Sequence, residues 1–395
     1  MSRAKSPWAL PDKAEDKAAK ANAEIRIVEF VLFAVIPLRS LAVSGLPLNE
    51  LAALAVVALA ALRPPTGHDS RRGRVVWLCA AAIGLLLFSG LSNDVDWTRR
   101  VGHTAIWCGL IWVCATGRIS LRSAALGLGT GLIAAVGLFA IGVGGDTYAG
   151  RLTGFLADPN AAAFFIVSLG ALAVGFADER GKVRLLIAAP LIAGLVLTYS
   201  RTGLLALAFA LVWWLVGRRL GTLGGAAVVG GLVWVVGNIP DDLVTFGPFS
   251  NRSGSDALRD RIVAREHDLL AQAPWFGNGP GTAKVTLGDE EFFFHNSFLA
   301  VRQEGGWPLL ILVLGLMAVA FLALSSRSRA GDLRAVAAQA ALIGTLAMAV
   351  TLGEVLLELP TAIAIGFALG QAASRTPPDG DSRVTPAPDP TVAKS

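Results

Sequence analysis

The chain has 395 residues, 54% of them hydrophobic and 16% charged, with a mean hydropathy of +0.60 and a formal net charge of +5. Such a chain is too apolar to keep a soluble surface wet, so composition predicts a polytopic membrane protein and excludes a soluble enzyme. The basic residues stand singly at the ends of apolar runs, which excludes a nucleic-acid patch, and Cys79, Cys108 and Cys114 lie inside apolar runs with no CxxC or His/Cys spacing for zinc or a disulfide frame.

Residues 1–24 are polar and alanine-rich and lack the basic-then-apolar order of a cleavable signal, so they read as a cytosolic tail. Apolar stretches of about 17 to 22 residues then predict membrane helices. They fall near 27–45, 49–63, 75–92, 99–117, 121–143, 159–177, 183–199, 202–217, 221–238, 296–324, 333–352 and 355–373. The expected fold is therefore an all-α membrane bundle of about twelve helices over residues 25–374, with one long outward loop, 239–294, between the ninth and tenth. Residues 375–395 carry five prolines and too little apolar surface to fold. No repeat of fixed period is evident.

Arg63, Arg71, Arg72 and Arg74, then Arg118 and Arg122, Arg180, Lys182 and Arg184, Arg218 and Arg219, and Arg327, Arg329 and Arg334 all fall in even-numbered connections. The positive-inside rule puts these and both termini in the cytosol. The turn at 93–100, the loop at 144–155, Tyr199-Ser200-Arg201, the long loop and 353–360 then face outward. Gly127, Gly129 and Gly131, and Gly224 and Gly225, let helix backbones approach closely.

Within the long loop, Ser255-Asp256 is a candidate N-cap and Leu258, Ile262, Leu269 and Leu270 keep helical spacing up to Pro274. The resulting amphipathic helix carries Arg259, Arg261 and Arg265 on its polar side, with Arg252 just before it. Gly277, Gly279 and Gly281 form a turn-rich stretch that lacks the order of a Walker A loop.

Five features bear chemistry. His295 sits where the loop meets a membrane helix, and a neutral imidazole there can take a proton from a hydroxyl; His295-Asn296-Ser297 are equally residues that cap a helix. Arg151 and Arg201 stand at helix mouths on the side the positive-inside rule disfavours, where guanidinium forks suit a pyrophosphate and where arginines also snorkel. Asp158-Pro159-Asn160 opens a helix, chiefly as a cap. Glu304, followed by Gly305-Gly306, needs a partner at its depth, Arg302 or a cavity arginine, while Glu354 and Glu358 share a helical face and suit either an acceptor path or simple solvation.

The ordered set Arg151-Leu-Thr-Gly154, Asp158-Pro159-Asn160, Ser200-Arg201-Thr202-Gly203, Pro274-Trp-Phe-Gly277-Asn-Gly279-Pro-Gly281, His295-Asn296-Ser297 and Glu304-Gly305 resembles the O-antigen ligase and Wzy-type polymerase superfamily over roughly residues 145–325. The resemblance implies a GT-C-type, metal-independent inverting glycosyltransferase without cofactor, in the bacterial cytoplasmic membrane with its site facing the periplasm. Its partners would be an undecaprenyl-pyrophosphate-linked glycan donor, a lipid, glycan or other hydroxyl acceptor, and membrane lipid. On that pattern His295 is catalytic and Arg151, Arg201, Asn160, Glu304 and a loop arginine, Arg259 or Arg261, bind substrate. The sequence departs from the family in lacking a Gly before that arginine and in having Val263 where a Trp is expected. Ligase and polymerase are not separated, and a membrane carrier or flippase for an anionic glycolipid stands as the alternative.

Overall fold

The computed structural model describes residues 25–65, 71–145, 148, 150–177, 180–237 and 253–374. The expected tails, the start of the long loop and Arg252 lie outside the described residues. In chain order the helices are α1 (Ile27–Val35), α2 (Leu48–Ala61), α3 (Arg71–Ser92), α4 (Thr98–Ala115), α5 (Leu121–Ala140), α6 (Pro159–Phe176), α7 (Gly181–Leu197) and α8 (Arg201–Gly237). They continue with α9 (Ser253–Ala271), α10 (Ser297–Ala323), α11 (Ser325–Arg329), α12 (Leu333–Ala349) and α13 (Leu359–Ala373). Two antiparallel hairpins, β1 (Ala42–Val43) with β2 (Leu46–Pro47) and β3 (Lys284–Leu287) with β4 (Glu290–Phe293), are additions to the otherwise all-α expectation.

Among the described residues, Val75–Ser92, Leu121–Ala140, Pro159–Phe176 and Ser297–Arg329 are long and apolar enough to cross a membrane. Leu48–Ala61, Arg201–Gly217, Leu333–Ala349 and Leu359–Ala373 are shorter apolar helices. The chain is thus a multi-pass membrane helix bundle. Its centre is α6, α12 and α13, which are apolar on every side and buried on every side, as Phe164, Phe165, Ala338, Ala341, Ile363 and Phe367 illustrate. Helices α7, α8 and α10 line the outside with exposed Leu185, Leu186, Leu215 and Ile311.

Several boundaries differ from the sequence expectation, each for a local reason. The first helix stops at Val35, because Pro37 offers no amide to continue it and positive φ at Ser44 (53°) and Gly45 (80°) closes the β1–β2 hairpin instead. The last helix starts at Leu359, with Pro360 in its first turn, so residues 350–358 form an extended connection. Residues 201–237 are helical throughout, yet they are not one rod. Phe209 and Val235 line the same hollow, although a straight helix would separate them by about 39 Å. A β-carbon on Gly225 would sit 3.4 Å from the Trp213 ring. The helical backbone therefore reverses between these residues, as two expected spans require.

Small residues set the closest crossings. A β-carbon on Gly127 would overlap the Phe30 carbonyl, and one on Gly131 the Ala34 carbonyl, so α1 lies directly on α5. At one end of the bundle buried Glu29 pairs with Arg26 (3.1 Å) and with Arg63, and accepts the Ser120 amide (2.7 Å). There the connections around Arg63 and Arg118 meet, since Arg118 Nη1 donates to the Arg63 carbonyl. The connections at 93–100, 150–158, 198–201 and 350–358 gather at the other end, with α9 and the β3–β4 hairpin; we term it the loop face.

Helix α10 is broken at Gly306 (φ 71°, ψ −170°), just before Pro308. A break strands carbonyls in an apolar setting, and each must find a donor. The Gln303 carbonyl receives the Asn278 amide (2.7 Å), the Glu304 carbonyl receives the Gly279 amide (3.2 Å) and the Ser89 hydroxyl (2.8 Å), and the Trp307 amide donates to the Trp275 carbonyl (3.0 Å). This explains the glycine-rich stretch: Gly277 (φ 79°) faces the Gly306 amide at a distance no side chain fits. We predict that Gly306→Ala, which combines a left-handed φ with overlap onto Trp275, costs about 2 kcal/mol or more and lowers the thermal unfolding temperature in detergent. Gly315→Ala, with open space around it in the same helix, should leave that temperature unchanged or raise it slightly.

Candidate functional site

On α9, Arg259, Ile262, Glu266 and Leu270 recur at three- and four-residue spacing and share the face turned to the protein, with Ile262, Glu266 and Leu270 buried. Arg261 and Arg265 are exposed. The expectation that all three arginines share the polar face is corrected for Arg259, which stands on the inner face. That face packs on a small apolar cluster including Ala283, Val285, Phe294 and Ala300, so the helix and the hairpin together hold the approach to α10.

His295 leaves this cluster as the chain enters α10. Its backbone amide donates to Glu266 Oε1 (2.5 Å), and its Nδ1 lies 3.8 Å from the same oxygen, too long for a hydrogen bond but within easy ring movement of one. Glu266 is wholly buried, and its Oε2 has no hydrogen-bond partner among the described residues. Burial pushes the Glu266 carboxyl up to about 7, partly opposed by the amide it accepts. Burial also lowers the His295 pKa below the usual histidine value, and the Arg259 guanidinium lowers it further, against the Phe293 carbonyl. A neutral imidazole at neutral pH follows. Capping of α10 is left to Asn296, whose Oδ1 accepts the Phe298 and Leu299 amides, so His295 is not needed as a cap.

Beside this group lies a cavity of about 360 Å³ whose wall includes Phe293, Phe294 and Ala300 next to His295, together with residues from the far ends of the chain. Glu304 also lines it. Its Oε2 accepts Arg100 Nε (2.8 Å) and its Oε1 accepts the Gly281 amide (3.2 Å), so both oxygens are engaged by the protein. Arg302, the other partner the sequence offered, instead stacks on Trp307 at 4.5 Å. Arg100 Nη1 reaches Glu354 (3.4 Å), and Arg39 Nη2 lies between Glu354 (3.7 Å) and Glu358 (3.5 Å). His103 stands between Glu50 (Nδ1, 3.0 Å) and the Leu357 carbonyl (Nε2, 3.0 Å).

Arg151, Asn160 and Arg201 form a third group on the same face. Arg151 Nε donates to the Thr198 carbonyl (3.0 Å), the Ser200 hydroxyl donates to Asn160 Oδ1 (3.0 Å), and Asp158 caps α6 through the Asn160 and Ala161 amides. The segment 350–358 joins the groups: Thr351 bonds Thr202 (2.8 Å), Gly353 packs on the Phe294 carbonyl, and the Val355 and Leu356 amides donate to the Ser297 hydroxyl (3.2 and 2.9 Å). No three His, Cys, Asp or Glu side chains converge as a metal would need, among the described residues.

Residues 185–314, about a third of the chain, match the family model described as O-Antigen ligase. This stretch is similar to the O-antigen ligase family. It contains Arg201, Arg259, Arg261, Glu266, His295 and Glu304, whereas Arg151, Asn160 and most of the cavity wall lie outside it. Comparison with curated proteins returns no match.

Sequence reading missed Glu266, Arg39, Glu50, Arg100 and His103. Glu266 carried a signal, being an acid four residues after Ile262 on the apolar face of the loop helix. Arg39, Glu50 and His103 were ionisable groups inside expected spans, which is itself a functional signal. One prediction concerns pH. With its pKa raised, Glu266 holds a proton in the folded protein between about pH 4.5 and 7 that the unfolded chain has lost, so its contribution to stability is present below pH 4.5 and is lost as pH rises through 7. Thermal unfolding of wild type and Glu266→Gln across pH 4.5 to 8 should show that falling component only in the wild type. His295 acts with the opposite sign below its ordinary 6.5, and the difference between the two proteins isolates Glu266.

Proposed function

We propose that the protein transfers a glycan from an undecaprenyl-pyrophosphate-linked donor to an acceptor hydroxyl, as a ligase or polymerase of the O-antigen ligase type. The observation that carries this reading is a neutral imidazole, backed by a buried carboxyl and flanked by a guanidinium, at the seam of loop and bundle inside the stretch that matches the O-antigen ligase family. The family suggests lipid-linked glycan transfer, and the site supplies a base for it. The loop face is then the periplasmic side of the cytoplasmic membrane, in keeping with the gathering of Arg63 and Arg118 at the opposite end.

In the reaction the acceptor oxygen attacks the anomeric carbon, its proton passes to His295, and the bond from that carbon to the pyrophosphate oxygen breaks with its electron pair on the leaving group. Attack opposite the leaving group inverts the anomeric centre. A proton on Nδ1 directed at Glu266 leaves the Nε2 lone pair for the hydroxyl, so Glu266 is a positioning residue. Arg259, Arg201 and Arg151 would bind the pyrophosphate through paired donors and stabilise the charge that grows on it, in place of a divalent cation. Arg259 has a double effect. Before the donor arrives it holds the imidazole neutral, and once a diphosphate offsets its charge the imidazole becomes the stronger base.

His295→Ala should lower glycan transfer by about 10² to 10⁴-fold. The stability change should be at most about 1 kcal/mol, since Asn296 keeps the cap, and undecaprenyl-pyrophosphate affinity should be retained. Near-normal turnover would sink His295 as the base, whereas absence of glycan transfer by the wild type would favour a carrier or flippase. Arg151→Lys and Arg201→Lys should weaken donor binding less than the alanine variants do, because lysine keeps charge but loses the fork. Wild-type donor binding in both alanine variants removes them from the site. For orientation, an impermeant thiol reagent on intact spheroplasts should label Glu290→Cys and miss Lys182→Cys; the reverse pattern contradicts the periplasmic assignment.

A further inference from the structure

The cavity of about 360 Å³ beside His295 has a wall unlike that of a phosphate site. Five carboxylates, those of Glu50, Asp96, Glu304, Glu354 and Glu358, line it together with the cations of Arg39, Arg99, Arg100 and Lys284, so acid and base are nearly matched. A phosphate or a carboxylated sugar would meet five carboxylates there, and an amine would meet three guanidiniums and an ammonium; each would be repelled by about half of the charged wall. A neutral ligand avoids both costs.

The wall also retains hydrogen-bonding capacity. Contacts of 3.5 and 3.7 Å from Arg39 and 3.4 Å from Arg100 to Glu354 are longer than the roughly 2.7 to 2.9 Å of a strong charge-assisted bond. The charges are nearly balanced while their donors and acceptors are not saturated. Asn49, only 4% exposed, lines the same cavity, and its Oδ1 has no hydrogen-bond partner among the described residues. A buried amide oxygen left without a donor is destabilising, and a small local movement of the Asn49 side chain would let a bound hydroxyl donate to it. Phe293, 57% exposed at the rim, offers an aromatic surface on which a sugar ring's C–H face can lie. Hydroxyls both donate and accept, so a polyol can bond to carboxylate and guanidinium at once. The volume lies within the roughly 300 to 1,000 Å³ of small-molecule sites.

We infer that this cavity binds a neutral, hydroxyl-rich saccharide, the sugar bearing the acceptor hydroxyl, and selects against phosphorylated or acidic sugars. The assignment of that sugar as acceptor rests on the transfer reading above; the saccharide site itself does not. Phe294 in the wall precedes His295 in the chain, which brings a sugar seated there into the neighbourhood of the imidazole.

The test uses the full chain in lipid nanodiscs and saturation-transfer NMR with maltose, lactose, cellobiose and N,N′-diacetylchitobiose as neutral probes, and glucose 6-phosphate and glucuronic acid as charged ones. Saturable binding of at least one neutral disaccharide is expected, at least tenfold tighter than either charged sugar. Asn49→Leu should weaken it at least tenfold, and Asn49→Asp, which keeps the shape, should weaken it as well. Glu354→Gln with Glu358→Gln should narrow the gap by admitting glucuronic acid, a change in preference that a merely structural role would not produce. Absence of saturable neutral-sugar binding in the wild type, or unchanged preference in the double variant, overturns the inference. Undecaprenyl-pyrophosphate binding measured on the same nanodiscs separates the two readings. Diphosphate binding without saccharide binding overturns only this inference, and saccharide binding without diphosphate binding upholds the site while removing the transfer reading.

Discussion

The loop face depends on one repair. Helix α10 breaks at Gly306, and in an apolar bundle the carbonyls released by the break cannot remain without donors. The amides of Asn278 and Gly279 and the hydroxyl of Ser89 take that role, so the glycine-rich stretch after α9 is pinned into the bundle rather than lying on it. Everything between α9 and α10 inherits its position from those bonds. The Gly281 amide, held in the same stretch, meets Glu304, and Glu304 in turn fixes Arg100. Even a continuous helix would leave the Glu304 carbonyl facing Pro308, which has no amide to give, so this carbonyl needs the donors that the loop and Ser89 supply.

A second tie completes the face. Residues 350–358 are too irregular to extend either neighbouring helix, and their amides are satisfied in part by Ser297, two residues after His295. The same segment carries Glu354 and Glu358 to Arg39 and Arg100, and reaches Thr202 beside Arg201. Charges from the first helices, the loop and the last connection thus meet at one level. Buried charge is costly unless paired, so these ion pairs are better read as fixing the relative placement of distant segments than as adding net stability.

Much of this was legible in the sequence and some was not. Local signals served well: the apolar runs marked the helices, Asp158-Pro159 and Asn296 marked caps that the structure contains, and Gly277 and Gly279 marked turns. Errors arose where a local rule met a second one. Pro37 and the Ser44-Gly45 turn ended a helix that hydropathy alone continued to residue 45. Glu266 was passed over because an amphipathic helix invites its charges to be assigned to the wet side, although its spacing from Ile262 placed it inward. Arg39, Glu50, Arg100 and His103 could be flagged as ionisable, but their partners lie 53 to 254 residues away for His103 and 204 to 254 for Arg100. No periodicity encodes such pairings.

The two charge regimes on one face bear on how a membrane enzyme keeps two substrates apart. Near 150–160 and 198–202, Arg151 and Arg201 accompany Asp158, whose carboxylate is committed to capping α6. In the cavity, acid and base are nearly matched. A pyrophosphate gains from the first environment and is held off by the carboxylates of the second, while a neutral sugar has no electrostatic reason to prefer the arginines. His295 belongs to the border between them, beside Phe294 in the cavity wall and within range of the Arg259 charge. On the transfer reading proposed above, sorting by charge would steer the diphosphate and a neutral acceptor sugar to different parts of the loop face before any contact specific to either glycan is made.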